Sequence, residues 1–393
     1  MSGPDLRDRL RDAPVPDERG AEERGWRVVS AAFGEAPARH RRPARLRVAV
    51  AVALLAAAVL AIPATGAGAW LRDLVHPGRH HAKPALLSLP GGGRLLVGSR
   101  EGAWVVKPDG SKRLLGAYHE AAWSPRGLFV IAARGRQLVA VEPGGRVRWT
   151  VTRPDPVRHP QWSPSGYRIA YLAGRVPELR VVVGDGTGDR RLDPRAADVP
   201  PAWKPGAAHV LAYAREDGSV WLAATDRHRT LWRSAPGEVP RQLAWSADGR
   251  RLLAVGGKST RVFDDRGRLL STLPSTGGPG PVSALAFARR GHRFALVQSG
   301  AGGQSEVVLL AAERRPPPPR RVFVGAGALG GLAWSPDGRW LLIGWPSADQ
   351  WLFVRSSDAR RIVAVSNIAR AFSPGASGPG QAPRIAGWCC VSK

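Results

Sequence analysis

"LAWSPDGRWLLIGW", residues 332–345, sets a Trp directly before Ser-Pro-Asp-Gly and an apolar run directly after it. The middle residues spell a tight turn. Pro336 presets φ for the second turn position, Asp337 tolerates the third, and Gly338 takes the left-handed conformation that follows. Trp334 therefore ends one strand, and Arg339 to Gly344 make the next, joined to it as a hairpin.

The phrase returns along the chain. It reads "AWSPRGLFVIAA" from 122, "QWSPSGYRIAYL" from 161, "AWKPGAAHVLAY" from 202, "AWSADGRRLLAV" from 244 and "AFARRGHRFALV" from 286. The anchoring aromatics Trp123, Trp162, Trp203, Trp245, Phe287 and Trp334 lie 39, 41, 42, 42 and 47 residues apart. A degenerate copy, "SLPGGGRLLVG", starts at 88 with Leu89 where Trp is expected, and a half-copy, "AFSPG", starts at 371. Each full copy leads into a second apolar strand and a turn, as in "AWVVKPDG" or "VWLAATD". A third strand follows, basic and apolar, as in "KRLLGAY", "RTLWRS" or "RRIVAV". With the strand that ends at Trp, this makes four strands per ~40 residues and no helical stretch of useful length, the count and period of a β-propeller blade. The expected fold is all-β, a propeller of seven blades, with six or eight as alternatives. The Trp should close the innermost strand and pack between neighbouring sheets. The apolar run should be a central strand buried on both faces, which is why it does not alternate cleanly.

These copies resemble the TolB-type, WD-repeat-like propeller repeat, with its Trp-Ser-Pro-Asp-Gly core followed by a hydrophobic strand. The resemblance covers residues 85–390 and implies an extracytoplasmic interaction module. TolB proper carries an additional N-terminal domain, and mycobacterial envelope lipoproteins with such propellers carry a lipid-anchor Cys. Neither feature is present here, so the resemblance implies a fold and a compartment and not an activity.

Upstream, "VAVAVALLAAAVLAIPATGAGAWL", residues 48–71, is 24 residues without a formal charge. About 20 apolar residues cross a bilayer. The stretch before it, "RHRRPARLR", is strongly basic, whereas after it only Arg72 and Arg79 stand nearby. The positive-inside rule puts residues 1–47 in the cytoplasm and the remainder outside, with Trp70 as an interfacial anchor. A cleaved signal peptide ending at Ala67-Gly68-Ala69 is the competing reading; the long preceding segment argues against it. The expected organisation is a cytoplasmic tail over 1–47, a transmembrane helix over 48–71, a linker over 72–84, and the propeller with a C-terminal closing segment over 85–393. In the tail, Trp26, Val29 and Phe33 make one apolar stripe at helical spacing, suited to a cytoplasmic partner or the membrane surface. The layout is similar to that of transmembrane anti-sigma factors of actinobacteria, without the zinc-binding His/Cys signature.

The chain has 58 basic and 31 acidic residues, a net charge of +27. Six of the basic residues are Lys and the other 52 Arg. Such a balance points either to a polyanion partner or to the coding bias of a GC-rich genome. The Arg are scattered along the sequence and not clustered on one predicted element. The two Cys, Cys389 and Cys390, cannot make a metal site by themselves; a disulfide and two buried thiols both remain open.

Several motifs are turns and not sites. "GAGALG", 325–330, matches a dinucleotide fingerprint but runs into a strand and hairpin where that fingerprint needs a helix. "GDGTGD", 184–189, is a hairpin turn. His76, His80 and His81 cluster in a Gly-Pro linker and read as solvated. "RRPPPPRR", 314–321, lengthens repeat six and reads as a stiff, exposed polyproline segment. No Gly-x-Ser-x-Gly elbow occurs, and no Ser, His and Asp set stands out at recurring positions. No catalytic, metal or cofactor residue is assigned.

A propeller must join its first and last blades or leave an exposed edge. The chain restarts with Phe372-Ser373-Pro374-Gly375 and ends in "RIAGWCC". Residues 367–391 are expected to pack beside 85–106, completing the first blade or a partial eighth, with both Cys at the seam. The functional expectation is a membrane-anchored extracytoplasmic propeller that binds, scaffolds or senses at the cell envelope. Its partners would be a protein or an envelope polymer at the propeller loops, and the membrane at 48–71; nucleic acid is not expected. The alternatives are an envelope hydrolase using the axial pocket, and a transmembrane signalling protein with an anti-sigma-like tail.

Overall fold

Ser335 is the centre of the turn after Trp334. Its hydroxyl accepts from the Trp340 N–H at 2.9 Å and donates to Asp337 Oδ1, and Gly338 N–H returns to the Ser335 carbonyl. Gly338 has φ +71°, as the turn requires. Ser335 is fully buried, so its two bonds are not shared with water. Ser124, Ser163 and Ser246 accept in the same way from the N–H groups of Phe129, Arg168 and Arg251. The repeated Ser is therefore a turn-locking residue, a role that turn propensity alone did not reveal.

The computed structural model describes residues 88–390, apart from 208, 275–281 and 376–380. Seven four-stranded antiparallel sheets form. Six are contiguous in sequence. Blade two runs Glu120–Trp123, Val130–Arg134, Gln137–Val141, Val147–Thr152, and blades three to seven repeat this meander, beginning at Val157–Trp162, Ala202–Trp203, Gln242–Trp245, Val282–Phe287 and Gly330–Trp334. In blades two to seven the first strand is innermost. These six strands and Arg384–Cys389 touch one another in turn around a complete ring. The molecule is a seven-bladed β-propeller.

Blade one is composite. Arg94–Ser99, Gly102–Val106 and Lys112–Gly116 supply three strands, and Arg384–Cys389 supplies the fourth, antiparallel to Arg94–Ser99 and innermost. The C-terminal segment thus completes the first blade, and no partial eighth forms among the described residues. Trp388 occupies the anchor position that the copy at 88 lacks. The half-copy at 371 differs from the expected strand: Ile368–Phe372 is a short helix, and Phe372 is buried against Trp104 and Trp351. The closing strand bulges at Ala386, between the Leu96↔Gly387 and Val97↔Ile385 pairs.

The core is a ring of seams. Each of seven hydrophobic clusters lies between two adjacent blades. Alternate side chains of one strand enter opposite seams. Leu95 and Val97 pack toward blade seven, while Leu96 packs toward blade two. Both faces of a central strand are therefore apolar, which accounts for the unbroken run in "RWLLIGW". The anchor Trp residues sit in the seam with the preceding blade, as expected. Indole Nε1 of Trp203, Trp245 and Trp334 donates to the carbonyls of Gln161, Ala202 and Ala286, each the residue just before the anchor of the previous blade.

"GAGALG" joins the outermost strand of blade six to the innermost of blade seven, and "GDGTGD" spans the turn between Glu178–Val183 and Arg190–Asp193. The proline segment lies between Gln304–Ala311 and Arg320–Ala326 and is mostly exposed. Among the described residues no helix is long and apolar enough to cross a membrane. The expected membrane segment 48–71, the tail with Trp26, Val29 and Phe33, and His76, His80 and His81 lie outside the described residues.

Candidate functional site

The innermost strands run into turns at one end of the axis, three of them Ser-Pro: Ser124-Pro125, Ser163-Pro164 and Ser335-Pro336. There they enclose an open cavity of ≈ 620 Å³, lined in part by Trp123, Gln161, Phe287, Trp334 and Trp388, with Arg289 at its side. Arg289 follows the blade-six anchor and reaches across two blades. Its guanidinium donates to the carbonyls of Trp334, Ser335 and Trp388. The residue is exposed to the cavity, yet protein rings its head group, and the lost hydration lowers its pKa. Among the described residues Arg289 is the only charged one in the lining, and no carboxylate faces it there.

Cys389 and Cys390 close the same wall and are joined in a disulfide. The turn of blade two comes close to them: a Cβ on Gly127 would stand 3.1 Å from each sulfur and 2.7 Å from Arg94 Nη2. Arg94 donates to the Gly127 carbonyl and lies over the Trp123 ring. Burial lowers its pKa as well. This mouth can hold an apolar or aromatic group and present one cation to it.

A second arrangement has the geometry of a hydrolase triad. Ser165 Oγ is 3.1 Å from His209 Nε2, and His209 Nδ1 is 2.5 Å from Asp226 Oδ2. Sequence reading missed it, because the three residues come from blades three and four and share no motif. The same frame recurs two blades on. His292 contacts Asp248 through Nε2 at 2.9 Å and Glu313 through Nδ1 at 2.6 Å. Arg168 pairs with Asp226 and Arg251 with Glu313, both at 3.1 Å. Ser165 and Asp248 hold the same turn position, so an acid replaces the would-be nucleophile in the second copy. The Ser165 hydroxyl also bonds Ser163 Oγ at 2.9 Å. The shared feature is a His that staples one blade to the next.

A third His repeats this logic at the opposite ends of the innermost strands. His159 contacts Glu120 through Nδ1 at 3.1 Å and Asp198 through Nε2 at 3.2 Å. Both nitrogens are occupied, which leaves neither for a substrate. Burial pushes the Glu120 carboxyl up, but His159 outweighs it and the pKa is lowered. Among the described residues no group of three or more His, Cys, Asp or Glu is arranged to hold a metal.

No protein-family model matches the chain, and no characterised protein matches it by sequence. Among solved structures, it is similar to a chain of a mitotic checkpoint complex, at 17% identity over 63% of this chain and 76% of that one, with a TM-score of 0.50. It is also similar to Kuenenia stuttgartiensis hydrazine synthase, at 12% identity over 67% and 81%, TM-score 0.49. A third is the Cps50 (Swd1) β-propeller domain of Myceliophteria thermophila, at 14% identity over 64% and 86%, TM-score 0.49. At these identities the likeness is one of fold alone.

Proposed function

We propose that the protein is a non-catalytic binding module held at the cell envelope, with residues 48–71 as its anchor and the propeller outside the cytoplasm. The observation that carries the binding reading is the division of labour between polar groups. The three His clusters tie blades together, whereas the axial mouth is open, aromatic-lined and free of carboxylates. A mouth of that kind recognises a protein loop or an envelope polymer end by stacking and by one cation. The envelope location rests on the apolar segment 48–71 and the basic residues before it.

The test uses the full chain in non-ionic detergent. Ala386 is exposed in the bulge of the closing strand and lines the mouth. Ala386→Trp should block capture of the membrane partner without changing the melting temperature, while Ser165→Ala should capture it normally. Capture unaffected by Ala386→Trp would remove the mouth from the reading. Hydrolytic activity lost in Ser165→Ala would replace it with the hydrolase alternative.

A further inference from the structure

Arginines that are scattered in the sequence are gathered by the fold. They stay spread over separate elements, as expected, but those elements hold equivalent places in the blades. Every blade's outermost strand, or the turn leading into it, carries a basic pair. The pairs run from Lys112 and Arg113 in blade one to Arg360 and Arg361 in blade seven. The ~40-residue repeat that builds the ring thus also builds a cationic rim around its circumference.

The rim is not uniform. On blades two and three the charges are neutralised: Arg146 and Arg148 pair with Glu142 at 2.9 and 3.2 Å, and Arg191 pairs with Glu178 at 3.4 Å. From blade four to blade seven, among the described residues, only Arg268 and Arg321 of the rim meet an acid. Arg229, Arg266, Arg360 and Arg361 are exposed and have no side-chain partner among the described residues. Arg233 only lies over Trp221, and Arg320 only meets the Ser356 carbonyl. The acids on that arc do not pair with these six side chains. Asp358 accepts from the Arg360 N–H, Asp265 meets Lys204, and Asp264 and Glu306 take Arg268 and Arg321.

We propose that the rim of blades four to seven is a docking track for a flexible linear polyphosphate, the polymer whose closely spaced charges release the most counterions on contact. Unpaired like charges along one arc repel each other, and a polyanion relieves that repulsion by releasing its own counterions. The guanidinium fork suits both phosphate and carboxylate oxygens. The curvature of the track selects among polyanions. A planar anionic membrane meets a convex rim at one or two blades only. Duplex nucleic acid stays straight over about 150 base pairs and cannot follow it. A flexible polymer can contact several blades at once. This track lies on the outer strands, away from the axial mouth, and the proposal holds whether or not the mouth binds a partner.

The experiment titrates the full chain, in non-ionic detergent at about 150 mM salt, into labelled linear polyphosphate, polyglutamate and a short DNA duplex, with anisotropy as readout. One variant combines Arg229→Gln, Arg266→Gln, Arg360→Gln and Arg361→Gln. Its control removes the same charge from acid-paired positions on blades two and three: Arg146→Gln, Arg148→Gln, Arg190→Gln and Arg191→Gln. The arc variant should bind its polymer at least about tenfold more weakly with a shallower salt dependence, while the control stays within about threefold of wild type. Arg→Lys at the four arc positions should retain most binding. Tighter binding of polyphosphate than of polyglutamate is the expected order, and the reverse order would overturn the proposal. Equal weakening of both variants would show that net charge alone holds the polymer and would overturn the proposal. So would binding of the duplex as tight as that of polyphosphate, or no saturable binding of either polymer.

Discussion

The indole Nε1 of Trp388 donates to the carbonyl of Gly92 at 2.8 Å, across 296 residues of sequence. That bond lies in the seam where the C-terminal strand enters blade one, beside the edge-to-face contact of Trp388 with Phe353. Arg289 adds a clasp from blade six by donating to the Trp388 carbonyl. The ring is therefore fastened at one place by a strand, an indole and a guanidinium.

Deleting residues 384–393 should leave Arg94–Ser99 with an open edge in the middle of the ring. The expected result is a lower melting temperature and concentration-dependent aggregation, followed by thermal unfolding and light scattering. Trp388→Ala should destabilise by about 3–5 kcal/mol, the usual cost of emptying a buried aromatic site. A truncated chain that melts like the intact one and stays monodisperse would rule out closure by this strand.

Trp334 separates packing from hydrogen bonding. Trp334→Ala should cost about 3–5 kcal/mol. Trp334→Phe keeps most of the ring and loses the bond to the Ala286 carbonyl, a loss of about 1 kcal/mol beyond the change in size. Blade six already uses Phe287 at this position, so the smaller ring is compatible with the seam. Chemical denaturation of the two variants gives the comparison; equal costs would mean that the seam does not rely on aromatic volume.

The His staples predict a stability phenotype. His292→Ala should lower the melting temperature by several degrees, because it severs Asp248 from Glu313 across blades five and six. Ser165→Ala should shift it much less, since Asp226 keeps its Arg168 contact at 3.1 Å. A larger loss from Ser165→Ala than from His292→Ala would contradict the equivalence of the two frames.

Asp248 sets an acid limit. Burial pushes its carboxyl up, but the Ser246 hydroxyl, the Arg250 N–H and His292 outweigh that and hold it down, to about 2. An unfolded aspartate titrates near 4. A depressed folded value stabilises above the unfolded value, and the contribution disappears as pH falls from about 4 to about 2. Asp248→Asn should therefore flatten the decline of melting temperature in that window. Its partial exposure keeps the effect modest. Parallel curves for the two proteins would show that this carboxylate does not govern the acid limb.

Topology can be read directly. In intact spheroplasts, added protease should cut accessible propeller loops such as 314–319 and leave the 1–47 tail protected. A surviving propeller with a degraded tail would reverse the orientation argued from the charge flanking residues 48–71.

The legible parts were those encoded locally. Trp-Ser-Pro-Asp-Gly announces its own turn, and its return at ~40-residue intervals announces the blade. The missing anchor at Leu89 and the surplus "RIAGWCC" together pointed to the closing strand. What escaped reading depends on juxtaposition. Ser165 and His209 meet only because blade three lies against blade four, and nothing in either local stretch names the other. The same holds for the basic pairs, one per repeat in sequence and one per blade at the outermost strand or the turn leading into it. The helix Ile368–Phe372 escaped because "AFSPG" copies the repeat's turn while its Phe372 was taken up by Trp104 and Trp351.

The composite first blade has a consequence for timing. Blades two to seven each need only strands that follow one another, so each can assemble soon after its own residues appear. Blade one cannot. Its three early strands, complete at Gly116, must wait, inner edge unsatisfied, while roughly 270 further residues up to Arg384 are made and delivered. The last step is thus the one long-range strand pairing among the described residues, and such pairings are slow to find. A chain interrupted before residue 384 would hold six finished blades and still be open, so ring closure serves as a check that the whole domain has arrived.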